Sequence, residues 1–207
     1  MPGLIPEEKI EFDAENHIYM INGQRLPSVT QLMRPMTALV YGDVDPSVLS
    51  EAADRGTRVH EQISNYVQYG VWESDEDTVS YIDAFQKFCR LYRPLWVASE
   101  HVVRHHSMNY VGMADLIGYV DGKQSDEGLD LIDLKCTAQW HSVLLSAQTS
   151  AYAEALRSAG ITVRATYGLQ LMRDGGFRFE KLPDGYKTFL HSMAITLEMA
   201  KGEGVWI

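Results

Sequence analysis

Short apolar runs broken by turn residues open the chain. Residues 10–12 and 17–21 read as short strands, and Asn22-Gly23 supplies the residue pair that a two-residue hairpin turn prefers before residues 24–26. An N-terminal β-hairpin is therefore expected. Ser28 then serves as N-cap of a short helix that runs through Met33 and must stop near Pro35. Residues 36–44 are expected to form a mobile loop. Asp45 followed by Pro46 is a cap with proline at the first helical position, opening a long helix to about Tyr69, where Gly70 provides the stop. Residues 77–93 carry a second amphipathic helical pattern, ended by Pro94.

The pattern then shortens to strand period. Residues 96–104, 110–120 and 129–135 predict three strands, the last two joined by a Gly-rich, charged turn at 121–128, in an antiparallel meander. A helix over 142–158 closes at Gly160. Strands at 162–172 and 176–181 flank Asp174-Gly175, and residues 186–200 give a final helix. This order predicts an α/β fold with α+β character: a small central mixed sheet flanked by helices. Neither an internal repeat nor a low-complexity linker divides the chain. A single domain over 1–207 is expected, in which 1–45, the hairpin and short helix, pack on a core formed by 46–207.

Composition narrows the function classes. With 207 residues, 45% hydrophobic and 22% charged, the chain can bury one substantial core. Its apolar stretches fall far short of about 20 residues, and Glu7, Glu8 and Glu11 replace the basic-then-apolar pattern of a signal segment. A soluble, cytoplasmic protein with no membrane partner is expected. Two cysteines, Cys89 and Cys136, are too few for a disulfide framework or a four-thiolate cluster, and read as buried thiols. The net charge of −10 argues against a surface that coats nucleic acid broadly. It does not exclude a catalytic site, because metal ions reverse the local charge of an acidic cluster.

The charged residues inside strand sequence carry the candidate chemistry. Side chains alternate along a strand, so Asp133 and Lys135 share a face. A carboxylate and an ammonium on a mostly buried face are costly unless paired, and a divalent metal on the carboxylates with a phosphate near the lysine would resolve that cost. An ion pair on an edge strand is the competing reading. Asp115, between Gly112 and Gly118, is either a turn aspartate or a strand residue whose glycines allow a ligand close to the backbone. His60 lies inside the long helix in Arg55-Gly56-Thr57-Arg58-Val59-His60, where a locally bonded histidine is the plain reading. Gly56 costs about 1 kcal/mol in a helix, which suggests close approach of something else, and Arg55 and Arg58, one turn apart, could face one phosphate track. Gln148 and Tyr152 are four apart on one helix face, a half-buried pair on the plain reading. His101 and His105 share a strand face but stand about 13 Å apart, too far for one zinc ion; with His106 they read as solvent-facing or DNA-adjacent.

Taken in order, these pieces resemble a RecB-type nuclease of the PD-(D/E)XK superfamily. The resemblance rests on His60 in Gly-x-x-x-His, Asp115 in Gly-Met-Ala-Asp, Asp133-Leu134-Lys135 as the acid-x-lysine element, and Gln148-x-x-x-Tyr152, over about residues 50–155. Tyr19, the Gly turn and Pro27-Ser28-Val29-Thr30 are similar to the opening of phage exonucleases and mitochondrial genome maintenance exonucleases. The proline usual before the first acid is Ala114 here, and the cluster-binding cysteines and helicase part of some relatives are missing.

The resemblance implies a restriction-endonuclease-like core and a free-standing, metal-dependent DNA exonuclease of recombination, repair or phage DNA processing, without an iron-sulfur cluster. It implies that Asp115, Asp133 and Lys135 are catalytic. Mg²⁺ or Mn²⁺ would be held by Asp115, Asp133, the Leu134 carbonyl and His60, with Glu100 a lesser candidate. Gln148 and Tyr152, with Arg55 and Arg58, would contact DNA or support the site. The partner would be a single- or double-stranded DNA end, with a recombination or single-strand-binding protein as a further candidate. The alternative is a catalytically weak or silent nuclease-fold protein that binds DNA ends or a protein partner. A restriction-type endonuclease is a third reading, although no separate sequence-reading domain is evident.

Overall fold

Turn chemistry near the N-terminus folds as its sequence dictates. The computed structural model describes residues 10–13, 18–42 and 45–203, so His17, expected in the second strand, lies outside the described residues. Strands β1 (Glu11–Asp13), β2 (Ile18–Ile21) and β3 (Gln24–Leu26) form an antiparallel sheet in that order. Asn22 and Gly23 take φ of 51° and 75°, the paired left-handed geometry of a tight hairpin turn. The expected hairpin is thus β2–β3, and β1 adds a third strand.

Helix α1 (Val29–Leu32) carries a full capping box between Ser28 and Gln31. The chain then departs from expectation. Instead of the loop expected over 36–44, residues Arg34–Tyr41 form helix α2, with Pro35 in its first turn. Proline lacks an N–H but fits where the first helical donors are unpaired anyway, so Pro35 begins the second helix as well as ending the first. Residues 43 and 44 lie outside the described residues.

Helix α3 (Pro46–Tyr69) starts at the Asp45 cap and ends at Gly70, whose φ is 72°. Helix α4 (Val79–Tyr92) ends with Arg93 in the left-handed region, just before Pro94. Strands β4 (Leu95–His105), β5 (Tyr110–Tyr119) and β6 (Leu129–Lys135) are the expected antiparallel meander. Helix α5 (Ser142–Ser158) then carries the chain back, so β7 (Val163–Leu171) runs parallel to β6, and β8 (Phe177–Lys181) closes the sheet antiparallel to β7. The result is a five-stranded mixed sheet in the order β4-β5-β6-β7-β8, followed by helix α6 (Tyr186–Glu203). Among the described residues, no helix is long and apolar enough to cross a membrane.

Period-two alternation splits the core between the two faces of this sheet. Leu129 and Leu131 of β6 pack with Ala147, Ala151 and Phe189 on the α5–α6 side. Ile132 and Leu134 pack with Val59, Ile63, Phe85 and Phe88 on the α3–α4 side. Phe85 and Phe88 are fully buried, each worth about 2–3 kcal/mol of apolar burial. Asp133 and Lys135 continue the Leu129 and Leu131 series and so face α5. Asp130 belongs to the other series. It is fully buried, and its carboxylate accepts from the Val120 backbone N–H at 3.0 Å and from Arg164 Nε at 3.0 Å.

Candidate active site

The site forms where two strands of the meander part. Between β5 and β6 the ladder runs from Gly118↔Asp130 to Leu116↔Ile132. One step further, a side chain replaces the neighbouring strand: the Leu134 N–H donates to Asp115 Oδ2 at 2.6 Å. On an extended strand the carbonyl of a residue faces the same edge as its N–H, so the Leu134 oxygen also points to this gap.

Asp115 holds the centre of the cluster. It lies on β5, nearly buried, and its other oxygen, Oδ1, is 3.5 Å from His60 Nδ1. The same imidazole nitrogen is 3.3 Å from Glu100 Oε1. One potential ligand atom from each of His60, Glu100 and Asp115 lies within 4.8 Å of the others, and among the described residues this is the one such trio of His, Cys, Asp or Glu. Glu100 sits mid-strand in β4 with φ of 46°. A left-handed backbone at a non-glycine residue costs about 1–2 kcal/mol, strain of the kind that persists where the surroundings fix it.

Asp133 and Lys135 lie together on the side facing α5. Lys135 Nζ is 2.6 Å from Asp133 Oδ2, while Asp133 is 1% exposed. Lys135 meets the carboxylate as an ion pair, and no geometrically complete hydrogen bond reaches either oxygen. A buried carboxylate with unfilled acceptors is expensive, and a hard divalent cation is the partner that fills them. The oxygen-rich donor set with one imidazole suits Mg²⁺ or Mn²⁺.

Charge couples the groups. Burial pushes the Asp133 carboxyl up to about 6, the Asp115 charge pushes it the same way, and Lys135 opposes both. Burial would also raise Asp115, but the charges of His60 and Lys135 and the Leu134 amide outweigh it and hold this carboxyl below its usual range. For His60, burial favours the neutral ring; the Asp115 and Glu100 carboxylates prevail and keep it protonated well above its usual range. Lys135 follows the same logic: burial opposes its charge, while Asp133 and Asp115 more than restore it. The imidazolium thus neutralises the acids that a divalent cation would otherwise neutralise.

Helix α5 closes one side. Gln148 Nε2 donates to Tyr152 Oη at 2.9 Å. Burial, and then the charges of Asp133 and Asp115, push the Tyr152 phenol well above its usual range, so it stays a neutral hydroxyl. Gly112 makes room for it: a Cβ there would fall 2.3 Å from Tyr152 Cε1. Helix α3 forms the opposite wall, and a Cβ on Gly56 would meet nothing within 4 Å. Between these walls lies a cleft of about 960 Å³, lined by His60, Glu100, Asp115, Lys135, Gln148 and Tyr152, with Phe12 and Tyr19 from the N-terminal sheet.

Arg55 and Arg58 are placed elsewhere. Arg58 is held by Asp75 at 2.9 Å and Asp77 at 3.0 Å, and Arg55 lies over the Tyr81 ring at 5.7 Å. Neither lines the cleft. The His105 ring packs on Tyr110, and the His106 N–H donates to Ser158 Oγ. Two contributions escaped the sequence reading: the meeting of Glu100 with His60, 40 positions apart, and the approach of Tyr41 from α2 to Lys135. The helical pattern of residues 34–41 is the signal that could have found the second.

Neither a protein-family model nor a curated protein sequence matches the chain. Similar solved structures include an alkaline exonuclease, LHK-Exo, from Laribacter hongkongensis, at 10% identity over 71% of this chain and 80% of that one, with a TM-score of 0.39. The same exonuclease in complex with dAMP aligns at 11% identity over 86% and 89%, with a TM-score of 0.38. SSO0001 aligns at 11% identity over 83% and 75%, with a TM-score of 0.39. Likeness at this level carries no argument about chemistry, which rests on the residues themselves.

Proposed function

We propose that the protein is a metal-dependent DNA nuclease, acting as an exonuclease on phosphodiester bonds. One observation carries this reading: Asp115 stands between the His60–Glu100 pair, which lines the cleft with it, and the buried Asp133–Lys135 pair, of which the lysine reaches the cleft, so three carboxylates, an imidazole and an ammonium meet around one gap in the sheet. Asp115, Asp133, Glu100, His60 and the Leu134 carbonyl would hold Mg²⁺ or Mn²⁺. When bound, such an ion supplies Lewis acidity at the phosphoryl oxygen and an activated water.

The remaining work falls to the chain's own groups. Lys135, kept charged by Asp133 and Asp115, offsets the negative charge that develops on the phosphate oxygens. Its place beside a buried carboxylate fixes that charge in advance of reaction. Gln148 orients the Tyr152 hydroxyl, which stays protonated and can donate to the DNA backbone. With a cation held by Asp115 and Glu100, His60 would release its proton to solvent and Nδ1 would be available to hold the ion.

The test is incubation with end-labelled linear, single-stranded and circular DNA, with Mg²⁺, Mn²⁺ or EDTA, beside Lys135→Ala. The expected result is metal-dependent loss of linear DNA, resistance of circles, and no cleavage by the variant. Degradation that survives EDTA or the lysine change would overturn the mechanism. Failure to cut any DNA would favour a binding protein for DNA ends or for a recombination protein.

A further inference from the structure

Next to the cleft lies a smaller pocket of about 110 Å³, lined by Thr37, Tyr41, Lys135, Gln139, His141 and Gln148. Tyr41, Lys135 and Gln148 also line the cleft, so the two spaces meet at the lysine. The chemistry of the pocket differs from that of the cleft. Hydroxyl and carboxamide groups supply donors and acceptors, and the rings of Tyr41 and His141, edge to face at 86° with centroids 5.2 Å apart, supply an aromatic corner. His141 Nε2 is buried without a hydrogen-bond partner.

The segment bearing His141 is held rigidly. Trp140 packs over Gly168 so closely that a Cβ there would fall 2.5 Å from its ring, and Arg178 covers that ring with its guanidinium 4.5 Å from the centroid. Gln170 Nε2 donates to the Thr137 carbonyl at 2.7 Å, tying down the start of the same segment. A pocket wall fixed in this way loses little entropy on binding.

Charge supplies the second line of reasoning. Among the described residues that line the cleft and the side pocket, Lys135 is the one lysine or arginine. With His60 neutral beside a bound cation, a DNA strand here meets one cationic side chain, so charge neutralisation by the protein's own groups supplies little of its grip. Beyond the bound cation, affinity must come from uncharged contacts, and the bases are the part of a nucleotide that offers them.

We propose that the side pocket is a nucleobase subsite, seating the base of the nucleotide next to the phosphate at Lys135. It rests on the nuclease reading for the position of that phosphate. Tyr41 and His141 give the aromatic corner against which the base packs, and Thr37, Gln139 and Gln148 meet the polar edge of the base.

The test is calorimetric binding of dAMP and of base-free deoxyribose phosphate to the full chain with Mg²⁺ present. The expected result is a preference for dAMP of about tenfold or more, within the range that stacking one base on an aromatic side chain contributes. His141→Ala and Tyr41→Leu should each erase most of that preference while leaving the sugar phosphate's affinity unchanged. Gln139→Ala, a change at an exposed position with little risk to folding, should reduce it in part. Raising salt from roughly 50 to 200 mM should weaken binding of a short oligonucleotide by less than about threefold, as for one neutralised phosphate. Equal affinity for the two probes, or a preference that all three variants retain, would overturn the subsite. Cleavage of DNA without a dAMP preference would remove the pocket and keep the nuclease. A His141-dependent dAMP preference in a protein that never cuts would keep the pocket and remove the nuclease.

Discussion

Strand β6 carries two buried carboxylates three residues apart, and they live in opposite circumstances. Asp130 is saturated: an arginine and a backbone N–H donate to it, and nothing about it is left unfinished. Asp133 faces the other side of the sheet with an ammonium at contact distance but no hydrogen bond to either oxygen. Both sit in equally dry surroundings, so burial alone does not separate them. The difference lies in how completely the protein answers the charge. A finished pair is a structural fastening; an unfinished one is a position kept open for something that arrives later.

The sharpest way to break this contrast is to exchange the charges for neutral groups and read activity and stability separately. Asp133→Asn keeps the shape of the side chain, and DNA cleavage should fall about 10³-fold with the fold intact, measured as initial rate on labelled linear DNA. Asp130→Ala should act the other way. It strands the Arg164 guanidinium and the Val120 N–H, and urea unfolding should show a loss of about 3 kcal/mol. Equal effects of both changes on stability would erase the distinction between the two acids.

Acidity separates them further. With its pKa raised to about 6 in the fold, Asp133 favours the folded state while it is protonated. As pH climbs from the ordinary carboxyl range through that value, metal-free wild type should lose about 3 kcal/mol of stability relative to Asp133→Asn. Denaturation of both proteins in EDTA across this interval checks the sign, and a variant that tracks wild type at every pH would refute it. The smallest effect expected is the response to cation. At tenfold excess over its dissociation constant, Mn²⁺ should add about 1.4 kcal/mol, a rise of a few degrees in Tm, to wild type and none to Asp115→Asn.

Local signals made most of the elements legible. The Asp45-Pro46 start and Gly70 stop of α3, the Asn22-Gly23 turn and the Ser142–Ser158 helix are written in neighbouring residues, and the structure places them there. Helix α2 is hidden in the sequence because Pro35 signals the end of one helix and serves equally as a first-turn residue of the next. The site itself divides along the same line. Asp133 and Lys135 share a face by strand period alone, and Gln148 and Tyr152 share one by helix period. No spacing announces that Glu100 bends into the left-handed region to reach His60, or that Arg58 is already held by Asp75 and Asp77. Asp130 and Arg164 are 34 positions apart, and only the parallel pairing of β6 with β7 brings them together. Such pairings are tertiary facts.

The short bond from the Leu134 amide to the Asp115 carboxylate gives the site a reporter of its own. That proton belongs to the sheet by position but answers to a side chain, so its chemical shift and its exchange with solvent follow the charge on Asp115 rather than the opening of the ladder. Anything that draws on that carboxylate, whether a cation, a proton or a nucleotide, is written into a single backbone resonance that can be watched without labelling the ligand.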